Sequence, residues 1–205
     1  MARGHFARGF PLRLAVLCFL ASTVLSSVSR AQVAPVFSIT PANSSIKFFV
    51  KASVTIAGTF DKWDATLTFA SPDATTGVLD VKIQAASVDT GSGMKNSKLK
   101  SKDFFNAEGD PLITFRSKKV VQTGPNTFDV PGDFTIRGVS KPETLALTVS
   151  GAGIGSGAIK GTMAFDRKDY GMNSGIPFIS IADRVEVTVD FKGKRVSGPP
   201  LVFKQ

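Results

Sequence analysis

From residue 45 onward the chain alternates apolar and polar residues with a period of two, and no other feature restricts its fold as much. In SIKFFVKAS, Ile46, Phe48 and Val50 share one face, and Lys47, Phe49 and Lys51 share the other. WDATLTFA sets Trp63, Ala65, Leu67 and Phe69 against Asp64, Thr66 and Thr68; VLDVKIQAA sets Leu79, Val81, Ile83 and Ala85 against Asp80, Lys82 and Gln84. The pattern returns at Leu145, Leu147 and Val149, at Ile159, Gly161, Met163 and Phe165, and in RVEVTVDFKGK with Val185, Val187, Val189 and Phe191. One dry and one wet face is what an antiparallel strand needs when it covers a core on one side only. Turn chemistry divides the runs at Ser71-Pro72-Asp73, Thr123-Gly124-Pro125-Asn126, Arg137-Gly138 and Lys141-Pro142. These signals predict an all-β, antiparallel domain of about eight strands, a sandwich or a barrel. The single helical candidate is NSKLKSKDFF, residues 96–105, a short helical connection ending in adjacent Phe104 and Phe105. Two neighbouring rings diverge by roughly 100° on a helix and face opposite ways on a strand, so each needs its own cover.

The first 31 residues are expected to stand outside this domain. Arg3, Arg8 and Arg13 precede the apolar run LAVLCFLASTVL (14–25), and SSVSRA places Ser29 and Ala31 at −3 and −1 of a cleavage site. That is the pattern of a secretory signal peptide, and the apolar run falls short of the roughly 20 residues a membrane span requires. Its removal would leave residues 32–205 as one domain. It would also take away the only cysteine, Cys18, and the only histidine, His5. Thiol, imidazole and His or Cys metal chemistry would go with them, so neither a metal nor a cofactor is expected. Loss of Arg3, Arg8, Arg13 and Arg30 lowers the formal charge from +9 to +5. Lys95, Lys98, Lys100 and Lys102 form the one dense basic cluster, read either as a solvated turn or as a contact for an anionic membrane surface or phosphate-bearing ligand. No nucleic-acid-binding motif is present.

Fourteen of the 17 phenylalanines lie in residues 32–205, many on dry faces. A barrel of about eight strands can be filled by its own side chains or hold one ligand, and small inward residues such as Ala65, Ala85 and Gly161 leave room beside the rings. The glycine-rich GAGIGSG (151–157) joins two strands instead of leading into a helix, so it reads as a hairpin loop and not a phosphate cradle. Asn43-Ser44-Ser45 is a formal glycosylation sequon to which no function is attached. The carboxylate pairs Asp61 with Asp64 and Asp166 with Asp169 face apart if they lie on strands, and Glu108 with Asp110 flank a glycine turn. An enzyme acting on a lipid therefore ranks below a binding protein, and a cargo-free, partner-binding barrel is the other alternative.

Several stretches, in order, resemble the YceI-like family: FSITPANSSIKFFVK, GTFDKWDATLTF, IQAASVDTG, LKSKDFFNAEGDPLITFRS, GDFTIRGVSKPETLAL, FDRKDYGM and IADRVEVTVDFKGK. The resemblance spans about Phe37 to Lys192. It implies an exported, lipocalin-like barrel, periplasmic in location, that binds a polyisoprenoid lipid or isoprenoid quinone without catalysis. A transient membrane contact and a homodimer are compatible with it. Under that resemblance Phe48, Trp63, Leu67, Ile83, Phe104, Phe105, Phe115, Phe134, Met163, Phe165, Met172 and Phe178 are expected to line the lumen. Asp89, Arg167, Asp169 and Tyr170 are expected at the mouth, although each residue type is commoner in turns and on surfaces. Lys51, and Met94-Lys95-Asn96 ahead of the paired rings, depart from the family pattern at positions expected near the mouth.

Overall fold

The computed structural model describes residues 34–53, 56–151, 155–175 and 180–204. The expected signal peptide and Phe178 lie outside them. Among the described residues there are twelve strands: β1 (Val36–Ile39), β2 (Ser45–Ala52), β3 (Ile56–Phe60), β4 (Trp63–Phe69), β5 (Gly77–Gln84), β6 (Val88–Asp89), β7 (Leu112–Ser117), β8 (Val121–Gln122), β9 (Thr127–Ile136), β10 (Val139–Ser150), β11 (Ser156–Asp166) and β12 (Ile181–Ser197). The α-helix among these residues, α1 (Gly93–Lys100), lies between β6 and β7.

Ten strands follow one antiparallel ladder in the order β4-β5-β7-β9-β10-β11-β12-β2-β3-β6, with β1 added to β12 and β8 to β9. The ladder curls back on itself because β6 continues the chain of β5 through one turn of 3-10 helix, Ala85–Ser87, and then pairs with β3. Main-chain bonds from Asp61 to Ser87 (3.2 Å) and from Gln84 to Lys62 (2.9 Å) stitch the same seam. Farther along, the rings of Phe37 on β1 and Phe69 on β4 meet edge to face at 5.7 Å.

The expected alternation and antiparallel pairing are both present, but the count exceeds eight for local reasons. β1, β6 and β8 hold four residues or fewer, too few to show a period. Lys141-Pro142, expected as a turn, lies inside β10, where Pro142 faces Asp133 of β9 while the β11 pairing begins only at Ala146. Proline survives there because the other edge of β10 has no ladder bond for it to break. Arg137-Gly138 does form the expected turn, a two-residue hairpin with φ of 55° and 71° between paired Ile136 and Val139. GAGIGSG joins the antiparallel neighbours β10 and β11, as its flanking strands require.

The helix starts three residues before its expected position and stops at Lys100, where Ser101 bonds back to the Lys98 carbonyl through its main chain (3.2 Å) and hydroxyl (2.7 Å). Phe104 and Phe105 therefore stand in the turn after α1, with the Phe105 amide on the Leu99 carbonyl at 2.9 Å. That turn solves the packing problem posed by two adjacent rings: both are buried.

Candidate functional site

Inward residues from seven strands converge on an apolar cavity at the α1 end of the barrel. Its wall takes Ile46, Phe48 and Val50 from β2, Phe60 from β3, Ile83 from β5, Ile113 from β7, Phe134 and Ile136 from β9, Phe165 from β11, and Val185 and Val187 from β12. Alternation explains the selection, since every second residue of these strands points inward. Leu99, Phe104 and Phe105 complete the wall from α1 and its following turn, with the side chains of Lys95 and Lys98 at the mouth. The space open to the centre of a water-sized sphere is about 80 Å3.

Phe105 belongs to a knot of rings, 5.7 Å from Phe60 and 6.2 Å from Phe48, and those two are 5.6 Å apart. Lys98 stands 5.6 Å from the centre of the Phe104 ring and donates to Asp103 at 2.5 Å. This bond and the ammonium charge hold the Asp103 carboxyl below its ordinary pKa.

Of the residues expected in the lumen, Phe48, Ile83, Phe104, Phe105, Phe134, Phe165 and Met172 border this cavity. Leu67 does not; it borders a second apolar cavity, of about 60 Å3, at the other end of the barrel. Trp63, Phe115 and Met163 border neither of these two, and Trp63 packs on Phe191 with ring centres 5.2 Å apart. Period two tells which face a residue occupies but not how deep along the barrel it lies.

The four residues expected at the mouth separate in the structure. Asp89 stands on an outer groove beside Lys47, Phe49 and Glu186, where its carboxylate accepts from Asn96 Nδ2 (3.0 Å) and the Gly91 amide (2.9 Å). Those two bonds lower its pKa, Asn96 most. Asp169 is exposed, 3.9 Å from Lys141.

Arg167 borders the cavity but is itself 7% exposed, and its guanidinium is fully engaged. Nε donates to the Ala182 carbonyl (3.2 Å), Nη1 to those of Met172 and Ser174, and Nη2 lies 3.1 Å from Asp183 Oδ1. The sequence places it in a short 3-10 turn, Arg167–Tyr170, capped by the Asp166 side chain and ended by left-handed Gly171. Arg167 thus ties this turn and residues 172–174 to the start of β12.

Tyr170 is 0% exposed, edge-on to Phe134 (5.5 Å) and Phe165 (5.2 Å), behind the cavity wall instead of at its rim. Its hydroxyl donates to Glu143 Oε1 at 3.1 Å. Burial first, and then the Glu143 carboxylate, push the phenol pKa well up. A raised folded-state value means full stability below the unfolded pKa of about 10 and a decline as pH rises toward the folded value. Tyr170 is the only tyrosine, so phenolate absorbance reads this group alone. Its titration should lag behind that of free tyrosine, and ordinary titration in folded protein would contradict this burial. Tyr170→Phe is expected to lower stability by about 1 kcal/mol in urea titrations at neutral pH and to weaken the alkaline decline.

Among the described residues the wall of the cavity is apolar, and the one buried charge on it, Arg167, is already partnered. What such a lumen can do chemically is remove apolar surface from water.

Comparison with known proteins places this barrel among relatives. A UPF0312 protein of Pseudomonas savastanoi pv. phaseolicola is 29% identical over 143 residues, covering 67% of this chain and 73% of that protein. The crystal structure of BcnA from Burkholderia cenocepacia superposes with a TM-score of 0.69 at 27% identity, covering 76% of this chain and 99% of that one. At 16% identity, a polyisoprenoid binding domain from Saccharophagus degradans shares the fold, with a TM-score of 0.62 over 78% of this chain and 99% of its own. The model of the YceI-like domain matches residues 37–193, which run from the first strand of the ladder through most of the last, and the chain therefore belongs to the YceI-like family.

Proposed function

We propose that the protein is a non-catalytic carrier that holds the chain of an isoprenoid lipid, a polyprenyl compound or isoprenoid quinone, in the lumen beneath α1. The apolar cavity carries this reading, because each Å² of apolar surface removed from water contributes about 25 cal/mol without any directed polar contact. The polyisoprenoid binding domain with the same fold supports the choice of cargo. In this reading residues 1–31 direct export to the periplasm and are then removed.

Loading needs the wall to move, since an apolar cavity of about 150 Å3 receives no more than a ligand of benzene size, and this one measures about 80 Å3. The segment best suited to yield is α1. Leu99 is its one buried residue, and its N-terminal Ser92 makes no side-chain cap. Such sparsely anchored elements open at the lowest free-energy cost. Asn96 moors its first turn, accepting from the Thr90 amide (2.9 Å) and hydroxyl (2.7 Å). Lifting α1 draws Phe104 and Phe105 off the lumen together. Exposed Met94 and Lys95 on the same helix suit contact with an anionic bilayer, where an apolar chain is collected.

Mass spectrometry of an organic extract tests the carrier reading, using full-length chain expressed in a bacterial host and the purified protein obtained from it. One polyprenyl or quinone species per protein is the expected result. An extract without such a lipid, together with an unchanged melting temperature when isoprenoids are added, would sink the reading. The small room in the lumen favours a cargo-free barrel as the second reading, and that outcome would select it.

A further inference from the structure

The two apolar cavities share one core. The first lies under α1; the second borders Leu67, Leu79, Val130 and Ile159, and is closed by Leu201 and Phe203 of the C-terminal tail. Phe203 is fixed there by its ring contact with Phe128 at 5.6 Å, and the tail is pinned at Val202, whose amide donates to the Pro72 carbonyl at 2.8 Å. Along β5 the step from Ile83 to Leu79 is four residues, and along β9 the step from Phe134 to Val130 is the same, about 13 Å at 3.3 Å per residue.

Between the cavities the strands contribute one layer that borders neither: Val81, Phe115, Leu145, Met163 and Val189, all buried. The layer leaves no room for a further methyl at its two glycines. A Cβ on Gly132 would stand 2.7 Å from the Phe115 ring, and one on Gly161 would stand 2.7 Å from Val189 and 3.1 Å from Leu145. Glycine at these two inward positions is what leaves room for the larger side chains of the strands on either side.

We infer that this waist gauges chain length: the far end of the bound isoprenoid stops against Phe115, Leu145 and Met163, and the second cavity is a latent extension behind them. The inference rests on the carrier reading. Met163 is the yielding member of the layer, unbranched and able to adopt several rotamers, so its truncation joins the two spaces with the least disturbance to its neighbours.

The test compares retention of geranylgeraniol, four isoprene units, with solanesol, nine, by the full-length protein. Met163→Ala should shift the solanesol to geranylgeraniol ratio at least tenfold toward solanesol. Adding Ile159→Trp, which fills the far cavity, should bring the ratio back. Met163→Val is the milder opening, moves the ratio in the same direction, and decides the matter if Met163→Ala loses its circular dichroism spectrum. A folded variant that binds both alcohols with the wild-type ratio overturns the gauge and leaves the carrier reading standing. Wild-type protein that retains neither alcohol overturns both.

Discussion

Replacing Phe105 with Ala should destabilise the barrel by about 4 kcal/mol, the middle of the range for truncating a buried ring. The ring is 8% exposed and is the contact through which the turn after α1 reaches Phe48 on β2 and Phe60 on β3. Its loss removes apolar burial and two ring contacts, and it enlarges a cavity whose remaining wall is held rigidly by strands. Urea denaturation monitored by circular dichroism measures the effect, and a loss under about 1 kcal/mol would mean that the turn collapses into the space without cost. Lipid retention gives the second readout. Phe105→Asp sets an ionised carboxylate on the lumen wall, where burial without a partner is prohibitive, so extractable cargo should disappear. Thr188→Asp, on the exposed face of β12, should leave both stability and cargo within error. Equal retention by the two variants would remove Phe105 from the lumen.

The second large effect belongs to Arg167. Arg167→Met keeps the length and apolar stem of the side chain but strips donors from the carbonyls of Met172, Ser174 and Ala182 and from Asp183. Buried acceptors left without donors cost about 1 to 3 kcal/mol each at most, and partial rehydration at the rim brings the expected total to about 3 kcal/mol. Arg167→Lys should recover little of it, because one ammonium cannot span the same acceptors.

The pH dependence separates the ion pair from the carbonyl contacts. Lys168 at 2.8 Å, followed by Arg167, lowers the Asp183 pKa. A depressed carboxylate contributes its stability above the unfolded value of about 3.9 and loses it as pH falls through the folded value. Asp183→Asn should flatten that acid limb while leaving the Arg167 carbonyl bonds in place. An unchanged limb would show that Asp183 plays no part in it.

Much of this was legible in the residues themselves. Every strand with a clear two-residue period, from Ile46 to Phe191, forms with the expected face inward, because one-sided burial imposes that period and little else does. β9 was missed since Pro131-Gly132 interrupts a run whose inward members, Phe128, Val130, Phe134 and Ile136, are otherwise regular. Gly132 faces Phe115 for lack of space, a reason that exists only once the neighbouring strand is in place. Tyr170 and Arg167 were expected at the mouth as polar groups able to orient a head group. Within one turn of 3-10 helix, however, neighbours diverge, and Tyr170 and Arg167 point in while Lys168 and Asp169 point out. Gly171, with φ of 75°, was the available sign of a short capped turn there.

The place of β12 in the ladder bears on the order in which the chain can fold. This last strand lies between β11 and the first two strands, pairing Ile39 with Gly193 and Ile46 with Val189. As the polypeptide emerges from its N-terminus, β1 and one edge of β2 must wait for residues some 150 positions later, while the β2-β3, β9-β10 and β10-β11 hairpins can form from near neighbours. Pairings so distant in sequence place folding in the slow, millisecond-to-second class of β proteins. A nascent chain cut off before residue 181 lacks the strand that joins β11 to β2, so its sheet stays open until that strand has been made.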